Sequence, residues 1–302
     1  MLLRHIRYLM AVAEHGSFTR AALALHVSQP ALSQQIRQLE EQMGTQLLDR
    51  SGRAVRPTDA GEAFLAHARR AFGELEAGNR AVRDVQDLSS GMLRIACAPS
   101  FSAYLMAPLA LHFHDRHPGI TLSLVERAQE DIEAALRLDR IDLGIATSDV
   151  HDEEVEWLPL HEERLGLVIG EDHPAAVTGG PIGVPTLEAL PLVLLSTRYT
   201  TRTMIDDHFR RHGIRPAVAM EADSLDTIIE IVRRGRLGTI LPPAVVFDRP
   251  SLRAMELDPA IGRRRVALLR RRGGYLSAAA RAFVELAQDE TRIFADGGRT
   301  LD

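Results

Sequence analysis

The sequence predicts a chain in two parts: an N-terminal all-α winged helix-turn-helix continued by a long helix, then a C-terminal α/β domain of two lobes. Three observations predict it. A capped three-helix pattern with a basic hairpin opens the chain, an apolar period of about 3.5 residues follows from Phe64 to Val85, and strands alternate with helices beyond Gly91. A length of 302 residues suits two domains better than one core.

Ile6, Leu9, Met10 and Ala13 share one stripe of a first helix that ends near Gly16. Ser17 offers an N-cap to a second helix, Phe18 to about Leu25, whose Ala21 and Ala22 permit close helix crossing. Ser28 caps the third helix and Pro30 sits in its first turn, where no intrahelical bond is lost. Leu32, Ile36, Leu39 and Met43 are its expected buried stripe, and Gln29, Ser33, Gln34 and Arg37 its other face. Those polar side chains donate to or accept from base edges and phosphates, and none is too bulky for a major groove.

Leu47 to Pro57 reads as a two-stranded hairpin turning at Ser51-Gly52, with Arg50, Arg53 and Arg56 at its tip and flank: a wing placed to hold phosphates. Thr58 caps a helix running to about Leu88, along which Phe64, Ala68, Ala71, Leu75, Gly78, Val82 and Val85 recur in alternating steps of 4 and 3. That is the seam of a coiled coil and predicts dimerisation; packing on the chain's own second domain is the plainer alternative. Charge divides the same way. Residues 1–57 carry seven arginines against four acids, a net +3, leaving −8 on the remainder of a chain whose total is −5. A basic head on an acidic body suits nucleic-acid contact at one end.

Beyond Ser89-Ser90-Gly91, strands are expected near 92–98, 120–126, 141–146, 165–169, 192–195, 217–221, 237–241 and 265–270, with helices near 103–116, 129–138, 201–212, 224–234 and 277–294. The alternation implies a mainly parallel sheet with helices on both faces, and so many strands suit two lobes. Ser100 and Ser102 fall where a strand gives way to a helix, and Thr200 and Thr201 open another helix, so two helix N-termini offer a site for a small anion. Each is equally readable as a helix cap.

Several function classes drop out. Cys97 is the only cysteine and lies in an apolar run, which suits an inert core thiol. The chain lacks a signal series and any apolar run of the roughly 18 residues a membrane span needs, so a cytoplasmic protein without membrane association is expected. His112, His114 and His117 do not share one helix face, and no metal is expected there. No nucleophile elbow, phosphate loop or dinucleotide fingerprint is present, so neither an enzyme nor a cofactor is indicated.

The stretch Val27-Ser28-Gln29-Pro30-Ala31-Leu32-Ser33-Gln34-Gln35-Ile36, the wing Leu47-Leu48-Asp49-Arg50-Ser51-Gly52-Arg53 and the helix start Thr58-Asp59-Ala60-Gly61-Glu62 resemble the LysR-type transcriptional regulators, and the likeness continues through the chain. It implies a DNA-binding domain over 1–58, a dimerisation helix and hinge over 59–90, and an effector domain like a periplasmic binding protein over 91–302. In that domain two crossings, near 161–164 and 262–265, join lobe one (91–162 and 265–302) to lobe two (163–264). By the same likeness Ser100, Gln129 and the segment 199–202 contact an effector, with Thr147 at the end of a central strand. Within the family, residues 11–41 and 49–62, with 99–104, 221–224 and 268–271, look most like regulators of cyanate-degradation operons, which implies cyanate as effector and activation of such an operon. The expected partners are double-stranded promoter DNA, a second copy or a tetramer, and RNA polymerase. A larger carboxylate is the alternative effector, a solute-binding protein the rival class.

Overall fold

The computed structural model describes residues 2–52, 54–84, 90–177 and 180–295. It divides into two compact units, Met1–Asn79 and Arg80–Asp302.

The first unit is a winged helix-turn-helix: α1 (Leu3–His15), α2 (Phe18–Ala24), α3 (Gln29–Met43), the antiparallel pair β1 (Leu48–Asp49) and β2 (Arg56–Pro57), and the start of α4 (Asp59–Asp84). The backbone N–H groups of Arg20 and Ala31 donate to the capping hydroxyls of Ser17 and Ser28, each at 3.4 Å. Gly44 ends α3 in the left-handed conformation, at φ 67°. Leu9, Val12, Ala21, Ala22, Leu32, Ile36, Leu39, Leu47, Leu48 and Leu65 form the core. Met43, expected in that core, is 43% exposed because it falls in the last turn, beyond the reach of the crossing helices. At α4 the Thr58 hydroxyl accepts from Gly61 N (3.0 Å) and donates to the Gln46 carbonyl (2.8 Å). Gly61 is required here, since a Cβ would run into the Leu47 carbonyl oxygen.

The second unit contains β3 (Gly91–Cys97), α5 (Pro99–Phe101), α6 (Ala107–Arg116), β4 (Ile120–Glu126), α7 (Gln129–Arg137), β5 (Leu143–Thr147) and β6 (Val155–Glu163). There follow β7 (Gly166–Gly170), β8 (Ile182–Gly183), α8 (Val184–Ala189), β9 (Pro191–Leu195), α9 (Thr200–His212), β10 (Ala217–Ala222) and α10 (Leu225–Arg234). The unit closes with β11 (Thr239–Leu241), β12 (Leu252–Met255), β13 (Leu257–Asp258), β14 (Arg264–Arg271) and α11 (Ala278–Ala295).

One lobe is a five-stranded sheet in the order β4-β3-β5-β14-β6. The other is built on β11-β7-β12 and β10-β9, which meet through a bridge between Leu192 and Gly238. The chain passes between lobes at the end of β6 and the start of β14. Both sheets are mixed rather than mainly parallel: β14 runs antiparallel to β5 and β6, and β7 antiparallel to β11 and β12. The reason lies in the crossings, because a chain that leaves a lobe and returns to it need not keep the direction a helix crossover imposes. β6 begins well before the expected crossing and ends at Glu163 within it, and β8, β12, β13 and α8 are additional short elements. The expected helix over 103–116 is interrupted instead: a π-helical turn, Ser102–Met106, separates α5 from α6. One apolar cluster, including Leu93, Ile95, Phe113 and Phe283 with Val168, Val193 and Ile228, packs continuously across both lobes.

Candidate nucleic-acid interface and sensing cleft

On α3 the solvent face is narrower than its sequence suggests. Ser28, Gln29, Pro30, Gln34 and Arg37 are exposed, whereas Ser33 is buried and its hydroxyl accepts from the Arg37 guanidinium at 3.2 Å. Ser33 therefore orients Arg37 and does not itself face outward. His5 on α1 pairs with Gln35 at 2.9 Å, fixing the helix from behind.

In the wing, Arg56 is exposed, but Arg50 is not a free cation. Its guanidinium bonds Glu40 at 2.5 Å and lies over the Phe18 ring at 5.1 Å. Glu40 also accepts from the backbone N–H groups of Leu47 (3.0 Å) and Leu48 (3.1 Å), so a buried carboxylate organises the wing root. The turn is closed by Asp49, which accepts from Ser51 N at 2.9 Å and Ser51 Oγ at 2.7 Å. Those bonds from Ser51, helped by Arg56, hold the Asp49 carboxyl below its ordinary range. Arg53 lies outside the described residues.

Along α4, Phe64 packs against the head core and Ala68 is buried, while Ala71, Leu75 and Val82 stand exposed. The proposed seam thus splits: Phe64 and Ala68 are partly or wholly buried, whereas Ala71, Leu75, Gly78 and Val82 stand exposed. Val85 lies outside the described residues.

In the second unit, Thr200 borders three cavities. Two are large: one of about 540 Å³ beside Gln129, Asp131 and Arg198, and one of about 580 Å³ that opens between the lobes and is lined by Thr147, Thr203, His208 and Arg211 together with the returning segment Arg263–Arg265. His208 is buried there; burial first, then His212, holds its imidazole below the usual value. The smallest, about 10 Å³, lies among Ser100, Gln129, Thr147 and Thr201 and has room for about one water. Gln129 and Thr147 are committed to each other: the Gln129 carbonyl accepts from Thr147 N (3.2 Å) and Thr147 Oγ1 (2.6 Å), and its amide donates to Glu133 and the Asp149 carbonyl. Ser102 sits in the π-turn and lines none of the three.

The hydroxyls of Ser100 and Thr201 do meet, at 3.3 Å, one from each lobe. What holds them is Arg264, absent from the expected site. It donates to Thr201 Oγ1 (2.7 Å) and Ser100 Oγ (3.2 Å), forms an ion pair with Glu163 (2.5 Å) and lies 4.6 Å over the Phe101 ring. Tyr104 donates its phenolic hydrogen to the other Glu163 oxygen, and His161 Nε2 lies 3.7 Å from it. Burial pushes the Glu163 carboxyl up, but Arg264, His161 and Tyr104 outweigh it and the group stays below its usual range. Glu163 and Arg264 are register partners of β6 and β14, a pairing that nothing in their spacing announces. Cys97, buried in β3, has its thiol pushed up by that burial and is no ready nucleophile.

A winged head that presents a polar helix, followed along the chain by a long helix and a two-lobed domain with an interlobe cleft, defines a ligand-responsive transcription regulator. The chain matches the family of bacterial regulatory helix-turn-helix proteins of the lysR type over residues 3–62 and the LysR substrate-binding domain over residues 86–292. It belongs to the LysR family, whose members are regulators and not enzymes. It is 31% identical over 291 residues to the RuBisCO operon transcriptional regulator of Allochromatium vinosum, covering 95% of this chain and 96% of that one. It is similar to CbnR complexed with its target DNA (25% identity, TM-score 0.66, 96% and 99% of the two chains). The fold is also that of full-length OxyR from Pseudomonas aeruginosa (24% identity, TM-score 0.70, 100% and 99%). These relatives bear no name that points to cyanate. Among the described residues no helix is long and apolar enough to cross a membrane.

Proposed function

We propose that this regulator binds promoter DNA as a dimer or a tetramer and responds to an organic anion larger than cyanate. The cleft carries this reading: about 580 Å³ lies within the range of metabolite pockets, and Arg211, Arg263, Arg264 and Arg265 on its walls outnumber Asp149, Glu162 and Asp207, although Glu162 already pairs with Arg263 (3.7 Å) and Arg265 (3.3 Å). Cyanate, with three atoms, would leave most of that volume to water; the segments resembling cyanate-operon regulators are what speaks for it. Gln29, Gln34 and Arg37 read base edges, while Arg56, with Arg53, holds phosphates. The exposed Ala71, Leu75 and Val82 pair with a second copy, which makes the operator a pseudo-palindrome with half-sites about one helical turn apart or a multiple of it. Recruitment of RNA polymerase from such a site, with activation as the outcome, completes the reading.

Footprinting on the DNA upstream of the gene, repeated with cyanate, benzoate, muconate, acetylserine and 3-phosphoglycerate, tests it. A discrete protected site whose extent changes with one of the larger anions is expected. Uniform coverage would remove sequence-specific regulation, and a response to cyanate alone would remove the larger anion.

A further inference from the structure

We infer that Arg264 is the anion receptor of the sensing domain, and that Glu163 occupies it until an effector's carboxylate or phosphate group takes Glu163's place. The inference rests on the sensing reading above and deepens it. Arg264 stands at the first residue of β14, where the chain re-enters its first lobe, and Glu163 is its register partner at the last residue of β6, where the chain leaves it. The guanidinium therefore sits on the joint between lobes. It is itself a lining residue of the interlobe cleft, although its side chain is only 6% exposed.

Three features make this arginine a receptor rather than a structural tie alone. Its neighbours Ser100 and Thr201 are hydroxyls, one from each lobe, and hydroxyls rotate to donate to an incoming oxyanion once the guanidinium no longer needs them as acceptors. The planar fork that now faces Glu163 suits any carboxylate or phosphate oxygen pair equally well. Glu163 has somewhere to stay when displaced, since Tyr104 donates to its second oxygen and His161 stands beside it. A second anion beside an undisplaced Glu163 would meet like-charge repulsion in a poorly hydrated site, so binding and displacement are coupled. Exchange of partners at Arg264 breaks the cross-strand ion pair at the crossing, which gives the lobes a reason to move.

Acetate, the smallest carboxylate, is the probe, with the full-length chain held at constant ionic strength by chloride. Thermal-shift titrations compare the wild type, Glu163→Gln and Arg264→Gln. Glu163→Gln removes the competitor while keeping a neutral hydrogen-bonding side chain, so it should bind acetate about tenfold tighter than the wild type, because an uncompensated buried cation gains most from a new anion. Arg264→Gln should lose the saturable response. A purely structural arginine predicts no gain in Glu163→Gln, and that result, like unchanged acetate binding in Arg264→Gln or silence in both wild type and Glu163→Gln, overturns the proposal. If acetate is silent but a larger anion still alters the footprint, the receptor falls and the sensing reading stands. The converse, tighter acetate binding in Glu163→Gln with no anion affecting DNA, keeps the receptor and removes the sensing.

Discussion

The two units use a buried carboxylate in opposite ways. In the head, Glu40 serves partners 7, 8 and 10 residues downstream and fixes the root of the wing. In the sensing domain, Glu163 meets Tyr104 and Arg264 at separations of 59 and 101 residues, and Arg264 reaches Ser100 across 164. A short-range carboxylate locks a recognition surface that must hold one shape. A long-range one ties together elements that a ligand has to be able to part.

The largest effect should fall on the head. Glu40→Ala strands two backbone N–H groups and the Arg50 guanidinium, and about 3 kcal/mol of head stability should be lost. Circular dichroism melts and loss of DNA binding would register it; a melt unchanged from the wild type would contradict the organising role. Next in size, Gly61→Ala should destabilise by about 1–3 kcal/mol through its clash with the Leu47 carbonyl, although alanine is the better helix former at an open position. A stabilised variant would show that α4 can shift away.

Base reading and phosphate holding separate on DNA. Gln34→Ala should relax preference at one base position by about 1–3 kcal/mol, while Arg56→Ala should weaken all sequences alike and reduce the salt slope by about 1. Anisotropy on operator and random duplexes distinguishes them, and equal losses on both DNAs for Gln34→Ala would remove it as a base reader.

In the sensing domain the acid limb is informative. The Glu163 carboxyl is depressed below its ordinary value of 4.5, so its stabilisation is present above that value and is lost as pH falls through the lower folded-state value. Melting temperatures of the wild type should therefore fall more steeply below about pH 4.5 than those of Glu163→Gln. Parallel curves would show that Glu163 is not held by Arg264 in solution. The smallest effect belongs to the exposed Arg198–Asp131 pair across the lobes, 3.3 Å apart, where Arg198→Ala should cost less than about 1 kcal/mol.

This contrast also explains what could be read from the chain. The caps at Ser17, Ser28 and Thr58, the turn at Asp49-Arg50-Ser51-Gly52 and the apolar stripes act over a few residues, so their chemistry is written in spacing. Ser33 misled because its α3 position reads as outward-facing, yet it is buried and accepts from Arg37; Arg50 misled because its partner Glu40 looked like one more surface acid. Around the small cavity, Ser100, Thr201 and Gln129 are brought together, but as partners of the protein's own groups. Ser102 was displaced by a π-turn that no spacing announced. Arg264 could not be assigned from sequence because its partners lie on three separate elements, α5, β6 and α9, that only the fold brings together.

The most direct test of the local and long-range wiring is amide hydrogen exchange on the full chain, with and without saturating effector from the footprinting screen. The account predicts concerted changes around Ser100, Glu163, Thr201 and Arg264, segments far apart in sequence, while α3 and Leu47–Leu48 in the head keep their core protection. Changes confined to one contiguous segment, or loss of protection at the root of the wing, would contradict it.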